Sequence, residues 1–452
     1  MAWFLLMQGD SKNEKDKFMR KVYCLFLILA GVTMSLSAQE PLILTEDLAV
    51  SLALGQNLSL KSNLLDLESS QESNENSWNV FLPDFSVSGG TTRSEELFTV
   101  DSSKDGDSWT VWGSVDASLT LNYAAIQAMD ADQLSYDSQS LSYETAKNQL
   151  ISSVRKQFYY LLANKENLEL VKKNLDLAEK RYIQTKTNFE NGLASELSVL
   201  ESRNSYESIR PSYTNTKTSY ETQLMSFKNL LGLDLNQEID VTGSLDTPVL
   251  DLDASSLINK FMAKRLDVQS AVKNLDIQEN LKEATNFSKR SPSISLSGDW
   301  SNYAYDASDL DWNDAVSLTL SLSLPLNGFI PGSEDTLEIK DTVREVEQAR
   351  LQLQEIMDSA EQDIHTLVMQ LEGYLENIEI TAFSVELAQK TYEMTESAYE
   401  FGTKELLDLE DAQNKLLSAN EDLLQSRYSY LSGLIDLEYA LNSTLDEIQG
   451  ES

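Results

Sequence analysis

Val111-Trp112-Gly113-Ser114-Val115-Asp116-Ala117-Ser118-Leu119-Thr120-Leu121-Asn122 alternates residue character at every step, and residues 124–190 just beyond it contain neither glycine nor proline. Val111, Gly113, Val115, Ala117, Leu119 and Leu121 take one parity, while Trp112, Ser114, Asp116, Ser118, Thr120 and Asn122 take the other. A period of two marks a strand whose faces meet unlike surroundings. Sustained over about ten residues, it suits a strand with one face to lipid and one to a polar lumen. The spacing then becomes helical. At 1.5 Å per residue, a helix over 124–190 reaches about 100 Å.

The same succession occurs twice. Pro83-Asp84-Phe85-Ser86-Val87-Ser88-Gly89 returns as Pro292-Ser293-Ile294-Ser295-Leu296-Ser297-Gly298. Ala178, Tyr182, Glu190, Gly192, Leu197, Tyr220 and Leu231 return, at one constant offset, as Ala388, Tyr392, Glu400, Gly402, Leu407, Tyr430 and Leu441. Two copies of one unit are expected, residues 39–245 and 246–445, with a tail at 446–452. Each copy opens with a helix, near 46–80 and 254–289. A hairpin follows, with polar loops near 91–108 and 300–313. Pro83 and Pro292 stand at strand starts, where the missing N–H costs least. In the second copy Val316, Leu318, Leu320, Leu322, Leu324 and Leu326 hold one parity. The second long helix, 333–401, contains only Gly373.

Both long helices carry an apolar seam at seven-residue intervals. It reads Val154, Leu161, Leu168, Leu175, Tyr182 in the first and Met357, Ile364, Leu371, Ile378, Val385, Tyr392, Tyr399 in the second. A sustained repeat of seven means coiled-coil packing. Gly192 and Gly402 stop the helices, and helical spacing resumes within about three residues, so a shorter antiparallel helix returns.

The formal charge of −38 over 452 residues excludes nucleic acid as a partner of a basic face. Only Val22 to Met34 is apolar enough for a helical span, and it is too short to anchor a mature protein. With Met19-Arg20-Lys21 before it and Ser35-Leu36-Ser37-Ala38 after it, this run reads as an export signal. Residues 1–38 are therefore expected to be removed, with translation starting at Met19. They take with them the one cysteine, Cys24, so no disulfide remains. They also take five basic and three acidic side chains, which leaves −40.

Two hairpins supply four membrane strands, too few to close a barrel, and open sheet edges are not tolerated in hydrocarbon. The strands must be shared, and three chains give twelve. Trp78, Trp109, Trp112, Trp300 and Trp312, five of the six tryptophans, flank the strands as an interfacial girdle would. The competing reading is an exported coiled-coil scaffold that is no channel, with its hairpins packed on the helices.

Four motifs in this frame resemble the TolC family of outer-membrane efflux and secretion channels, over essentially the whole mature chain. Leu44-Thr45-Glu46-Asp47-Leu48-Ala49, leading to Asn57-Leu58-Ser59-Leu60, resembles the family's opening helix. Arg265-Leu266-Asp267-Val268 resembles the signature that opens the second repeat, with Leu266 in place of proline. Phe189-Glu190-Asn191-Gly192-Leu193 and Tyr399-Glu400-Phe401-Gly402-Thr403 resemble the two helical tips. Leu406-Leu407-Asp408-Leu409-Glu410-Asp411-Ala412-Gln413 resembles the segment after the second tip. The resemblance implies a mostly α fold with β. It further implies a homotrimer whose twelve-stranded outer-membrane β-barrel, four strands per chain, continues into a long α-helical coiled-coil barrel in the periplasm. The implied function is an exit duct for efflux or type I secretion. By the same resemblance, such a duct is expected to dock through its tips to a periplasmic adaptor protein and an inner-membrane pump that supplies the energy.

Asp408 and Asp411 are three apart and so share a helix face. Three chains would place six carboxylates at the narrow end of a tunnel, where they favour cations. The resemblance assigns them to the acidic rings of the periplasmic entrance. It assigns Tyr399 and Lys404 to the network that holds the entrance shut. Lys404 replaces an arginine there and loses its planar fork. The partner acid falls on Ser198, which cannot form the ion pair, and Glu196 or Glu201 stands near enough to replace it. Asn191, Gly192, Leu193 and Phe401, Gly402, Thr403 match the triads that meet the adaptor; glycine there also permits a turn closed to other residues. No enzyme constellation is present. The one histidine, His365, reads as a helix surface residue, and no cofactor or metal is expected.

Overall fold

The computed structural model describes residues 41–95, 107–304 and 312–450. The expected signal, 1–38, lies outside them. The described chain forms two units. The small one pairs β1 (Leu42–Leu44) with the start of β4 (Ile239–Val241), the Leu42 amide donating to the Glu238 carbonyl at 2.9 Å. The large one holds all remaining elements.

Helix α1 (Glu46–Gln56) starts at Thr45, whose side chain accepts from the Leu48 amide, with Glu46 and Asp47 in its first turn. One helix was expected over 46–80, but it breaks at Asn57. Asn57 ends α1 and caps α2 (Leu58–Glu75), its Oδ1 accepting from the Leu60 amide at 3.0 Å and its Nδ2 donating to the Leu230 carbonyl at 2.9 Å. In the second half α5 (Ala254–Phe261) and α6 (Leu266–Arg290) are likewise separated, at Arg265. Arg265 is buried there. It donates to both carboxylate oxygens of Asp267, at 3.0 and 2.6 Å, and lies 3.4 Å from Asp363.

Strands β2 (Asp84–Glu95), β3 (Asp107–Asn122), β5 (Ser293–Ala304) and β6 (Trp312–Ser323) form one antiparallel sheet in the order β2-β3-β5-β6. The strands run further into the expected loops than the polarity implied. The loop centres lie outside the described residues. Leu324 and Leu326 keep the strand parity but fall beyond β6. The register gathers the apolar parity of all four strands on one face: Phe85, Ala117, Gly298 and Leu318 form one row, and Val87, Val115, Trp300 and Val316 the next. That face is uncovered, with Val87 81% and Val316 79% exposed. The other face carries Ser86, Asp116, Asp299 and Ser317 in one row and Ser88, Ser114, Ser301 and Ala315 in the next. Trp109, Trp300 and Trp312 take the apolar parity, but Trp112 sits on the polar face opposite Tyr303. Trp112 therefore leaves the girdle to which its position in sequence assigned it.

Helix α3 (Ala124–Glu190) matches its glycine- and proline-free stretch, and α7 (Glu334–Glu400) falls within 333–401. Each is 67 residues long, and each is followed by a helix of 36 residues, α4 (Glu196–Leu231) and α8 (Leu406–Leu441). The seam is buried at Val154, Leu161, Ile364, Leu371 and Tyr392, while Met357, assigned to it, is exposed. Around the middle of α7, Ile364 and Leu371 join Leu162 of α3, Phe261 of α5 and Leu434 and Leu437 of α8 in one core. Truncating such a leucine to alanine costs about 2–5 kcal/mol. Arg155 of α3 ties the start of α1 to the end of α8, paired with Glu46 and Glu438. The stretch set apart as a tail is helical at its start, α9 (Leu445–Gln449).

A second apolar stripe runs along the opposite side of α7. Met369, Ile380, Phe383, Leu387 and Met394 fall within a narrow arc at 100° per residue, and they are 55–69% exposed. Among the described residues nothing covers them. His365 is exposed on the same helix.

Candidate functional site

The tips are built by one device used twice. After α3, Gly192 adopts φ +75°, its amide reaching the Phe189 carbonyl at 2.9 Å and the Leu193 amide the Asn188 carbonyl at 2.7 Å. After α7, Gly402 at φ +69° repeats this, with Gly402 to Tyr399 at 2.9 Å and Thr403 to Ala398 at 2.9 Å. This pair of bonds satisfies the last carbonyls of a helix and needs a left-handed residue, which glycine supplies without strain. A Cβ at either glycine would meet nothing within 4 Å, so the backbone angle alone demands it within the chain. Leu193 and Phe401 stand 79% and 84% exposed beside these turns, and Asn191 and Thr403 are exposed with them.

Both return helices are then capped. The Ser195 hydroxyl accepts from the Ser198 amide at 3.1 Å and lies 2.8 Å from the Ser198 hydroxyl. At α8, Glu405 and Asp408 form a reciprocal capping box. The acidic pair of the second tip is therefore not free. Asp408 accepts from the Glu405 amide and pairs with Lys404 at 3.3 Å. Asp411 pairs with Lys415 at 2.7 Å. Both aspartates remain on the surface, where such pairs are worth little.

The three residues assigned to the gate part company. Tyr399 and Ser198 line one cavity of about 590 Å³ between the tips, together with Thr185, Glu201, Asn204, Glu405 and Glu410. Lys404 does not line it; its ammonium pairs with Asp408. Glu201 faces this cavity; Glu196 does not line it.

Periodicity alone missed a polar cluster that crosses from α3 to the second tip. Arg181 donates to Gln413 Oε1 at 2.6 Å and to the Tyr392 hydroxyl at 3.0 Å, and lies 3.7 Å from Glu396. Tyr392 donates in turn to Glu396 at 2.6 Å, and Gln413 donates to Asn174. Asn174 and Gln413 are buried. Burial and the bond to Glu396 push the Tyr392 hydroxyl up to about 12, so it stays a neutral donor at physiological pH. The available signal was Asn174 and Arg181, seven apart beside the seam. A polar pair at that spacing fixes register at the expense of stability.

Among the described residues, no helix is long and apolar enough to cross a membrane, and no group of three or more His, Cys, Asp or Glu side chains is placed to hold a metal ion. The family model for the outer membrane efflux proteins matches residues 49–233 and 257–443. The chain belongs to that family. This outer membrane efflux protein is 23% identical to the outer membrane protein TolC of Vibrio cholerae over 338 residues, 73% of this chain and 74% of that one. It is 24% identical to a probable efflux pump outer membrane protein of Pseudomonas putida, TtgC, over 67% of this chain and 62% of that one, under two thirds of the relative's length. Its fold matches the CmeC outer membrane channel of Campylobacter jejuni with a TM-score of 0.70, at 18% identity over 90% of both chains. Family membership places this efflux protein in the outer membrane, with its helices extending into the periplasm.

Proposed function

We propose that three copies of this efflux protein form an exit duct. Their sheets join edge to edge into a twelve-stranded barrel, and their helices line a periplasmic tunnel. The observation that carries this is the four-stranded sheet. It is open at β2 and β6, and a continuous apolar face is left uncovered. In hydrocarbon both edges must be paired. The apolar rows from Leu121 to Val115 span six residues, about 20 Å along the strand, near the apolar band of about 25 Å found in such barrels. The second stripe of α7 supports the same reading, because a helix apolar on two opposite sides needs cover on both. A scaffold with its hairpins packed on its own helices would bury the sheet face that here is exposed.

The two halves, 39–245 and 246–445, act as repeats that place two tips per chain at the tunnel's periplasmic end. Leu193 and Phe401, exposed beside their glycine turns, offer apolar contacts to an adaptor, which links the duct to an inner-membrane pump for efflux or type I secretion. Asp408 and Asp411 supply the entrance with carboxylates whose charge Lys404 and Lys415 partly offset. The Arg181–Tyr392–Gln413 cluster takes the locking task that Ser198 cannot perform, since it ties the second tip to the first repeat. The test is the purified protein from membranes. A heat-modifiable trimer that conducts in a planar bilayer is expected; a stable monodisperse monomer without conductance refutes the duct.

A further inference from the structure

The sheet's polar face is not uniformly polar. Two register rows beyond Asp116 and Asp299, toward the hairpin loops, Gly90, Trp112, Tyr303 and Asn313 stand side by side on the four strands. Trp112 and Tyr303 are direct cross-strand partners. A Cβ on Gly90 would lie 3.1, 3.3 and 3.4 Å from Cζ2, Cε2 and Nε1 of Trp112. The indole therefore lies against Gly90, where no side chain displaces it. The opposite face is interrupted at this height: Gly89, Gly113, Asn302 and Asp314 form the row after Val87, Val115, Trp300 and Val316, before Thr91, Val111, Ala304 and Trp312 resume the apolar parity. The aromatic row thus lies beside this break in the apolar face, on the opposite side of the sheet.

We infer that Trp112 and Tyr303 form an aromatic collar inside the outer mouth of the duct, a low-affinity wall station for planar organic cations. This rests on the trimeric barrel proposed above, which makes the polar face the lumen. Aromatic faces attract cations through the ring quadrupole and stack on flat ligands. The charge beneath the collar has the matching sign. Asp116 and Asp299 face each other directly across β3 and β5, an arrangement of like charges that disfavours the strand pair and draws cations into the lumen. Ser114 donates to Asp116 at 2.9 Å and holds one of these carboxylates in place. A cation moving outward meets the acidic row first and the aromatic row about 13 Å later, at 3.3 Å per residue. Three chains would supply six aromatic rings to the collar.

The test uses the full-length protein reconstituted in bilayers and in liposomes, with 1-methylnicotinamide as the planar cation. Magnesium, strongly hydrated, controls for charge and nicotinamide for aromaticity. At an exposed cation–π site, the concentration of 1-methylnicotinamide that halves the current should rise roughly threefold in Trp112→Leu and in Tyr303→Leu. The magnesium and nicotinamide responses should not move. In liposomes, 1-methylnicotinamide should quench the wild-type tryptophan emission more than that of Tyr303→Leu, which keeps every tryptophan. Equal half-blocking concentrations in all three proteins, or equal quenching in wild type and Tyr303→Leu, would overturn the collar. So would a lower melting temperature in Trp112→Leu with the block unchanged, which would make Trp112 only a cover for Gly90. A wild-type protein that does not conduct counts against the duct itself, whereas the quenching comparison still judges the collar.

Discussion

Arg181→Ala should unlatch the second tip. The guanidinium makes two hydrogen bonds, at 2.6 Å to Gln413 and 3.0 Å to Tyr392, and a longer pairing at 3.7 Å with Glu396. Its side chain is 17% exposed and that of Glu396 is 40% exposed. Hydrogen bonds from a charged donor are worth about 1.5–3 kcal/mol where buried. Water that enters the vacated space recovers part of that, and the exposed ion pair adds a few tenths at most. About 2 kcal/mol per chain is a fair total. In a trimer whose tips move together, about 6 kcal/mol shifts the ratio of closed to open entrance by roughly four orders of magnitude. The assay is single-channel conductance of wild type, Arg181→Ala and Arg181→Gln, with trypsin sensitivity of the tips read in parallel. Alanine should give the larger conductance and faster cleavage, and glutamine, which keeps a donor without the charge, should fall between. A lower melting temperature in Arg181→Ala with unchanged conductance and cleavage would make the cluster a packing feature only.

Converting Asp408 and Asp411 together to asparagine removes six carboxylates per trimer at nearly constant volume. Block by a trivalent cation from the periplasmic side should weaken at least tenfold while trimer yield holds; an unchanged block places the selectivity elsewhere. Mass spectrometry of the purified protein should find its N-terminus near Gln39, and a retained Cys24 would refute signal removal. Burial opposes the charge on Asp267, but the paired bonds from Arg265 outweigh it and hold the carboxyl below its ordinary range. Its contribution is therefore complete above the usual carboxylate range, near pH 4, and is lost as pH falls through the lowered folded value. Asp267→Asn should cost about 1 kcal/mol at pH 7, and its stability should lose less than wild type's on acidification; parallel pH curves would refute this role.

Much of this architecture was legible because it rests on period and punctuation. Residues 124–190 could hardly be anything but a helix, and α3 ends at Glu190, where Asn191 and Gly192 close it. The strands declared themselves through alternation, which needs no knowledge of partners. What sequence concealed depends on choices among competing contacts. Asn57 offered no apolar signal, yet its short amide caps one helix while ending another. Lys404 pairs with Asp408, a single turn away on its own chain segment. The Arg181 cluster was hidden because counting apolar positions discards the polar residues between them. Trp112 was legible in parity but was grouped by its chemistry. Its neighbours Ser114 and Asp116 had already fixed its side of the strand.

The equality of the two long helices, and of the two that return, restricts how such a duct can change its reach. One residue inserted into α3 alone would turn everything below it by about 100° and move it 1.5 Å. The seam would lose α4, and the glycine turn would point elsewhere. Multiples of seven keep this heptad seam in phase, and they must enter both limbs of a hairpin together. The span across the periplasm is therefore quantised, in steps of about 10 Å. A seven-residue insertion in both limbs of both hairpins should give a folded, longer trimer, and a four-residue insertion should not. Helical content and trimer yield of the two insertion proteins would settle the matter.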